Sequence, residues 1–209
     1  RNEKKFAVDA YLKGRKILKN ELIFSAELAG LYTDLKDTRN MVEEYLNMLI
    51  TDEMYLSEVQ GLLQNSLQNT QDFDLLKTAL QKRTRNYPER TVFQEMLIWL
   101  HVQKNEYELA SVYARAIDKK YKEEGRRLIE LGFLAISNEK YDAAIQIFKQ
   151  VQANGKDKPF YNSARNAELE ARSKKLLSGN FNQTDLLILE SEYQNLLKEF
   201  GKTPSTAAT

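Results

Sequence analysis

Cysteine is absent from the 209 residues, and histidine occurs once, at position 101. Disulfides, thiolate metal sites and cysteine nucleophiles are therefore excluded, and a lone histidine leaves little for nucleophilic catalysis or transition-metal binding. Only three prolines and eight glycines interrupt the chain. So few breakers disfavour an all-β design, which needs many turns. No sign of charge dominates: 31 Lys and Arg face 30 Asp and Glu, a formal charge of +1. Such a balance offers no net field to gather nucleic acid or an acidic membrane. No apolar run approaches the ~18–20 residues of a membrane span, and no signal-peptide pattern is present. The sequence starts at Arg1 rather than Met; the expectation is a processed or excised fragment without a targeting segment, so no compartment is assigned.

The charge that is present is unevenly placed. Residues 1–20 carry seven cationic side chains (Arg1, Lys4, Lys5, Lys13, Arg15, Lys16 and Lys19) against Glu3 and Asp9. Residues 21–60 carry nine acids against Lys36 and Arg39. Solvated helix faces are the expected reading, with a basic surface meeting a partner or a neighbouring repeat of the same chain as the functional one.

One period organises the middle of the chain. Phe73, Tyr107 and Tyr141 stand 34 residues apart, as do Leu76, Ala110 and Ala144, and upstream Leu63, Leu97 and Leu131. Each period splits into two amphipathic segments. Residues 127–137 place Leu128, Leu131, Leu134 and Ala135 on one stripe, and residues 141–151 do so with Tyr141, Ala144, Ile145, Phe148 and Val151. The polar break Asn138-Glu139-Lys140 is too short for anything but antiparallel packing. A lone hairpin leaves an apolar face bare, which stacking covers.

These residues resemble the tetratricopeptide-repeat (TPR) family. The repeat unit of that family has 34 residues and carries Leu-Gly, an aromatic, Ala, a bulky aromatic and a closing Pro. Leu131-Gly132, Tyr141, Ala144 and Phe148 match in one repeat, and Leu97, Tyr107, Ala110 and Ile117 in another, with Ala114 at the bulky aromatic's place. Leu63, Phe73, Leu76, Leu80 and Pro88 match in a third, and Leu28-Ala29, Tyr32, Met41 and Tyr45 in a fourth. Residues 1–20 fit only the second helix of a preceding repeat, through Ala7, Tyr11 and Gly14. The resemblance implies an all-α, right-handed solenoid of antiparallel helical hairpins: repeats at 22–55, 57–90, 91–124 and 125–156 within one array over 1–200. Most repeats lack the Gly and only one has the Pro, so the member is divergent.

Past residue 156 the beat fails, since Phe181 follows Tyr141 by 40 residues. Pro159 suits a helix start, a long helix is expected over about 160–178, and another runs from a Thr184 cap to Phe200. Together they form an elongated hairpin over 159–200. The stretch 201–209 (GKTPSTAAT) reads as a flexible tail.

No catalytic residue, cofactor site or metal site is expected. His101 shares its column with Tyr32, Leu67 and Ala135 and is read as a packed side chain. The doublets Glu43-Glu44 and Glu123-Glu124 point about 100° apart on a helix and are read as solvated. The resemblance puts the binding surface on the first helices of successive hairpins. That register projects Asn65, Gln68, Asn69, Glu95, Trp99, Gln103, Arg126 and Phe133 into a groove, along with Gly30, Thr33, Asp34, Val102, Ile129 and Ile136. Asn and Gln suit an extended peptide backbone, and Trp99 and Phe133 could form an aromatic shelf. The family's clamp for a terminal carboxylate needs Lys where this chain has Ala26, Gly61 and Ile129; only Asn65 fits.

The expected function is a non-catalytic scaffold that binds a protein or peptide. A structural spacer is the alternative, self-associating as a homodimer through its uncapped first helix. RNA binding is disfavoured because the projected groove holds Arg126 and no Lys. No nucleic-acid partner and no membrane insertion are expected.

Overall fold

The computed structural model describes residues 2–179 and 181–201, with Phe200 described by its backbone alone. Arg1, Asn180 and, from the expected tail, 202–209 lie outside the described residues. The protein is all-α. Eleven helices and one 3-10 turn are present among the described residues, packed in consecutive pairs. No described helix is long and apolar enough to cross a membrane.

Two compact units divide the chain between Leu100 and His101. The first contains α1 (Asn2–Leu18), α2 (Ser25–Leu35), α3 (Thr38–Thr51), the 3-10 turn (Glu53–Tyr55), α4 (Leu56–Ser66) and α5 (Thr70–Asn86). It also contains most of α6 (Val92–Gln103). The second contains α7 (Tyr107–Tyr121), α8 (Arg126–Ser137), α9 (Tyr141–Gln152), α10 (Tyr161–Leu177) and α11 (Gln183–Phe200). In the first unit α1 packs on α2, α2 on α3, and α3 on both α4 and α5. In the second each helix from α7 to α11 packs on the next, and α7 also touches α9 while α8 touches α10. Contacts to the next helix and the next but one are the pattern of stacked hairpins.

What makes the hairpins is a repeated way of stopping a helix. Lys36, Asn105 and Glu139 all adopt left-handed backbone, with φ of 61°, 58° and 59°. The residue after each donates its N–H back five positions: Asp37 to Tyr32 (2.9 Å), Glu106 to His101 (2.8 Å) and Lys140 to Ala135 (2.8 Å). The left-handed residues themselves donate to Thr33, Val102 and Ile136. This double closure satisfies carbonyls that the helix end would orphan and turns the chain within three residues. The hairpin of α4 and α5 differs. Leu67 is extended there, and the Asn69 side chain accepts from Asp72 N–H (3.0 Å) while Asp72 accepts from Gln68 N–H (3.1 Å). α11 is likewise capped by Asn182 and Asp185 in a reciprocal box, not by Thr184 as the sequence suggested.

The periodic columns are core. Leu63, Leu97 and Leu131 are buried, as are Leu76, Ala110 and Ala144. Phe73 and Tyr141 are half-buried, whereas Tyr107 is buried, its hydroxyl accepting from Asn138 at 2.7 Å. Burial holds the Tyr107 phenol above its usual pKa against the opposing effect of that hydrogen bond. Gly132 shows why one repeat keeps its glycine. A Cβ there would stand 2.4 Å from the Phe148 ring, so the ring lies directly on the α8 backbone.

The stripe read for α8 is turned by about one position. Leu134 is exposed, while Ile129 and Ile136, projected into the groove, are buried. The cause is that α7, α9 and α10 all contact α8, leaving only Phe133 and Leu134 of its large apolar residues in solvent.

Two acidic doublets expected in solvent are not wholly there. Glu44 is buried and takes both ends of the Arg15 guanidinium, at 2.7 and 2.6 Å. Arg15 also donates to Ile23 O and Ser25 Oγ, which ties α1 to α2 and α3. Asn47 bridges Glu44 to Arg83, and Arg83 reaches Glu43 at 2.7 Å from α5. The basic start of the chain thus meets its acidic neighbour, because a buried cation needs a paired anion. Glu123 is mostly covered by Arg126 and Arg127, whose hydrogen bonds and charge hold its carboxyl below the usual range.

Replacing Gly132 with Ala should cost about 1–3 kcal/mol by overpacking against Phe148, measured by urea unfolding. The loss should shrink in a Gly132→Ala, Phe148→Leu double variant, as a coupled pair requires. Replacing Glu139 with Gly should instead gain up to about 1 kcal/mol by relieving the left-handed backbone. An unchanged midpoint would show that this turn carries no strain.

Candidate partner-binding clefts

In the first unit the end of α4 and the start of α5 meet the end of α2, enclosing a cleft of about 300 Å³. Asn65, Gln68 and Asn69 line it with Thr33, Lys36 and Tyr32. Local bonding decides which of these polar groups are available. Thr33 donates its hydroxyl to Ala29 O (2.8 Å) and Ser66 donates to Leu62 O (2.7 Å), so both protons are spent on their own helices and each oxygen is left to accept. The Asn69 oxygen is spent on the α5 cap. Asn65 and Gln68 are exposed and face the cleft. Burial raises the Tyr32 phenol, and the charges of Glu44 and Asp37 add to it, so Tyr32 stays a neutral donor.

In the second unit α8, α10 and α11 enclose a larger cleft of about 730 Å³. Phe133 forms part of its wall, 42% exposed, with its ring edge-on to Phe148 at 5.5 Å. Asn162, Asn166 and Glu170 recur every fourth residue along α10 and line it too, with Tyr193 from α11. Burial raises the Tyr193 phenol, with the nearby Glu170 charge adding to the shift and a hydrogen bond to Ser173 opposing it. The cleft therefore combines an aromatic edge, the amides of Asn162 and Asn166, the hydroxyls of Ser163, Ser173 and Tyr193, and the charged pair Glu170 and Lys174. Nothing in the 34-residue columns reaches α10, since the beat fails there. The four-residue spacing of Asn162, Asn166 and Glu170 was the available signal.

The remaining projected residues are scattered in role. Trp99 and Glu95 are half-buried on α6, and Gln103 is exposed near its end. Arg126 is exposed, but its guanidinium is shared between Glu123 (2.9 Å) and Glu130 (2.7 Å). His101 is buried, stacked on Tyr113 at 5.7 Å, and its Nδ1 lies 2.7 Å from Glu106. That hydrogen bond holds the Glu106 carboxyl below its ordinary range despite some desolvation.

Behind the second cleft, Glu168 on α10 is buried. Burial opposes its ionisation. Hydrogen bonds from Gln152 (2.7 Å) and Arg172 (2.7 and 3.0 Å), with the charges of Arg172 and Arg165, together outweigh that cost and lower its pKa. Arg172 continues to Glu192 of α11 at 3.2 Å, so one carboxylate ties α9 to α10 and, through Arg172, to α11.

No family model and no curated protein matches the chain. Among solved structures, one titled "Functional Characterization of Pseudomonas Aeruginosa pilF" is similar over 100% of this chain and 89% of that one. The identity is 16% and the TM-score 0.37. Likeness of that depth bears on neither the fold nor the function.

A depressed carboxyl stabilises the fold above its unfolded pKa, about 4.3 for Glu, and that contribution fades as pH falls through the lower folded value. Acid titration of stability should therefore steepen below pH ~4.3, with part of the slope missing in Glu168→Gln. Equal slopes in the two proteins would show that Glu168 is not held ionised by its partners.

Proposed function

We propose that this chain is a non-catalytic scaffold that holds an extended peptide or a protein segment in the clefts of its helical hairpins. The observation that carries this reading is the chemistry of the second cleft. Phe133 supplies an exposed ring packed edge-on against Phe148, and Asn162 and Asn166 stand four residues apart beside it. A rigid aromatic fixes one side chain of a bound segment at little entropic cost. Amides offer donor and acceptor together, which suits a peptide backbone. Asn65 and Gln68 repeat the amide theme in the first unit. Trp99 belongs to the same projected surface.

In the second cleft the polar groups are neutral amides and hydroxyls, with Glu170 paired to Lys174 at 2.8 Å. Such groups grip a ligand by shape and hydrogen bonding rather than by a strong field. A basic track for RNA would instead need cations free of acids along the cleft.

Peptides selected from a random library on the intact chain should fall into those that bind Phe133→Ala and those that bind Asn65→Ala at least ten-fold more weakly, a loss of about 1.4 kcal/mol or more. Helicity and melting should change little. Trp99→Ala should weaken capture in the same way. An early melt in Trp99→Ala would place that ring in the core, and selected peptides indifferent to all three variants would overturn the cleft assignment.

A further inference from the structure

We propose that Asn154 is a site of self-modification: the Gly155 backbone nitrogen displaces its amide, and the acid that results loosens the turn from which α8 starts. Asparagine is a chemically labile side chain, and Asn154-Gly155 is the only Asn-Gly pair in the sequence. The pair follows the end of α9, in the loop that leads to α10. The fold requires the glycine. Gly155 has a φ of +126°, in the region that favours glycine, and a Cβ on it would stand 2.8 Å from Asp157 Oδ1. Asn154 is thus followed by a nitrogen that no side chain of its own shields.

The surroundings leave the reaction open. The Asn154 side chain is exposed, and its amide makes no hydrogen bond among the described residues. The nucleophile, the Gly155 N–H, is held by one bond, to Gln152 O at 3.1 Å, which opens first. Its proton passes to solvent, the nitrogen bonds to Asn154 Cγ, and Nδ2 leaves as ammonia, closing a five-membered imide. Water then adds to one of the two imide carbonyls. Opening on one side restores the ordinary backbone with an aspartate. Opening on the other carries the backbone through the side-chain carbon and leaves isoaspartate. One water is consumed and one ammonia released, and the formal net charge falls from +1 to zero.

The new acid strains a second turn. Asn154 Nδ2 lies 3.3 Å from the place a Cβ would take on Gly125, so the amide rests on the residue that precedes α8. Gly125 N–H donates to both oxygens of the buried Asp118, at 2.9 and 3.1 Å. A carboxylate at 154 sets a second negative charge against this cluster, which a buried carboxylate tolerates poorly. The cations of the same loop are already engaged, Lys156 with Glu199 and Lys158 with Glu124. Isoaspartate also lengthens the backbone by one carbon beside Gly155, whose conformation is already fixed by the turn.

Ageing the full chain in neutral buffer tests this. Peptide maps taken over time should show aspartate and isoaspartate accumulating at 154 while the other asparagines keep their amides. The aged chain should elute from an ion exchanger as a species one charge more acidic. An isoaspartyl methyltransferase with a labelled methyl donor should label the aged chain and not the fresh one. Asn154→Gln, whose longer side chain has to close a six-membered ring, should stay unlabelled and melt as the fresh parent does. Asn154→Asp and the aged parent should both melt earlier. The proposal is overturned if Asn154 keeps its amide in the folded chain, or if another asparagine converts first. It is also overturned if Asn154→Asp and the aged chain melt with the fresh parent.

Discussion

The structure depends on where the first helix of each hairpin ends. A helix that stops one residue late rotates its successor by about 100°, and the successor would then bury a different face. At Lys36, Asn105 and Glu139 the stop is written in backbone alone: one left-handed residue and a pair of N–H groups folded back onto the last turn. None of the three is glycine, so each turn accepts a backbone penalty of roughly 1–2 kcal/mol. What offsets it is the apolar face that the turn lets the second helix cover.

Packing and buried charge then divide the remaining work. In the second unit one close approach of two helices is apolar, the Phe148 ring lying on Gly132. In the first unit the corresponding role falls to Arg15, whose guanidinium reaches a loop carbonyl, a hydroxyl and both oxygens of Glu44. A buried pair of this kind adds little net stability over a hydrophobic replacement. It does fix geometry, because only one placement of α1 against α2 and α3 satisfies every donor. Glu168 plays the same part among α9, α10 and α11.

Much of this was legible in the sequence. The 34-residue columns at Leu63, Leu97 and Leu131, and at Leu76, Ala110 and Ala144, mark core positions, and the polar breaks mark turns. Periodicity works there because a helix column keeps its neighbours from one repeat to the next. It says less about rotation. Leu134 and Ile136 are two residues apart, and the third helix packed on α8 decides which of them meets solvent. No pattern within α8 names that third helix. Long-range charge was also hidden: Arg15 and Glu44 are 29 residues apart, and in the sequence each is one member of a cluster of like charge.

The candidate clefts were harder to read, for a related reason. A column predicts that a side chain points toward a surface, but not whether its polar atoms are already engaged. Asn69 and Arg126 face the projected surface, yet one caps α5 and the other is shared between two glutamates. Asn65 and Gln68 differ from them only in having no such neighbour in position. On α10 the difficulty reverses. Asn162 and Asn166 belong to no column, but the stacking of α10 on α8 brings them beside Phe133. Availability for a ligand is thus a property of bonding partners and of which helix arrives next, and both are settled by tertiary structure.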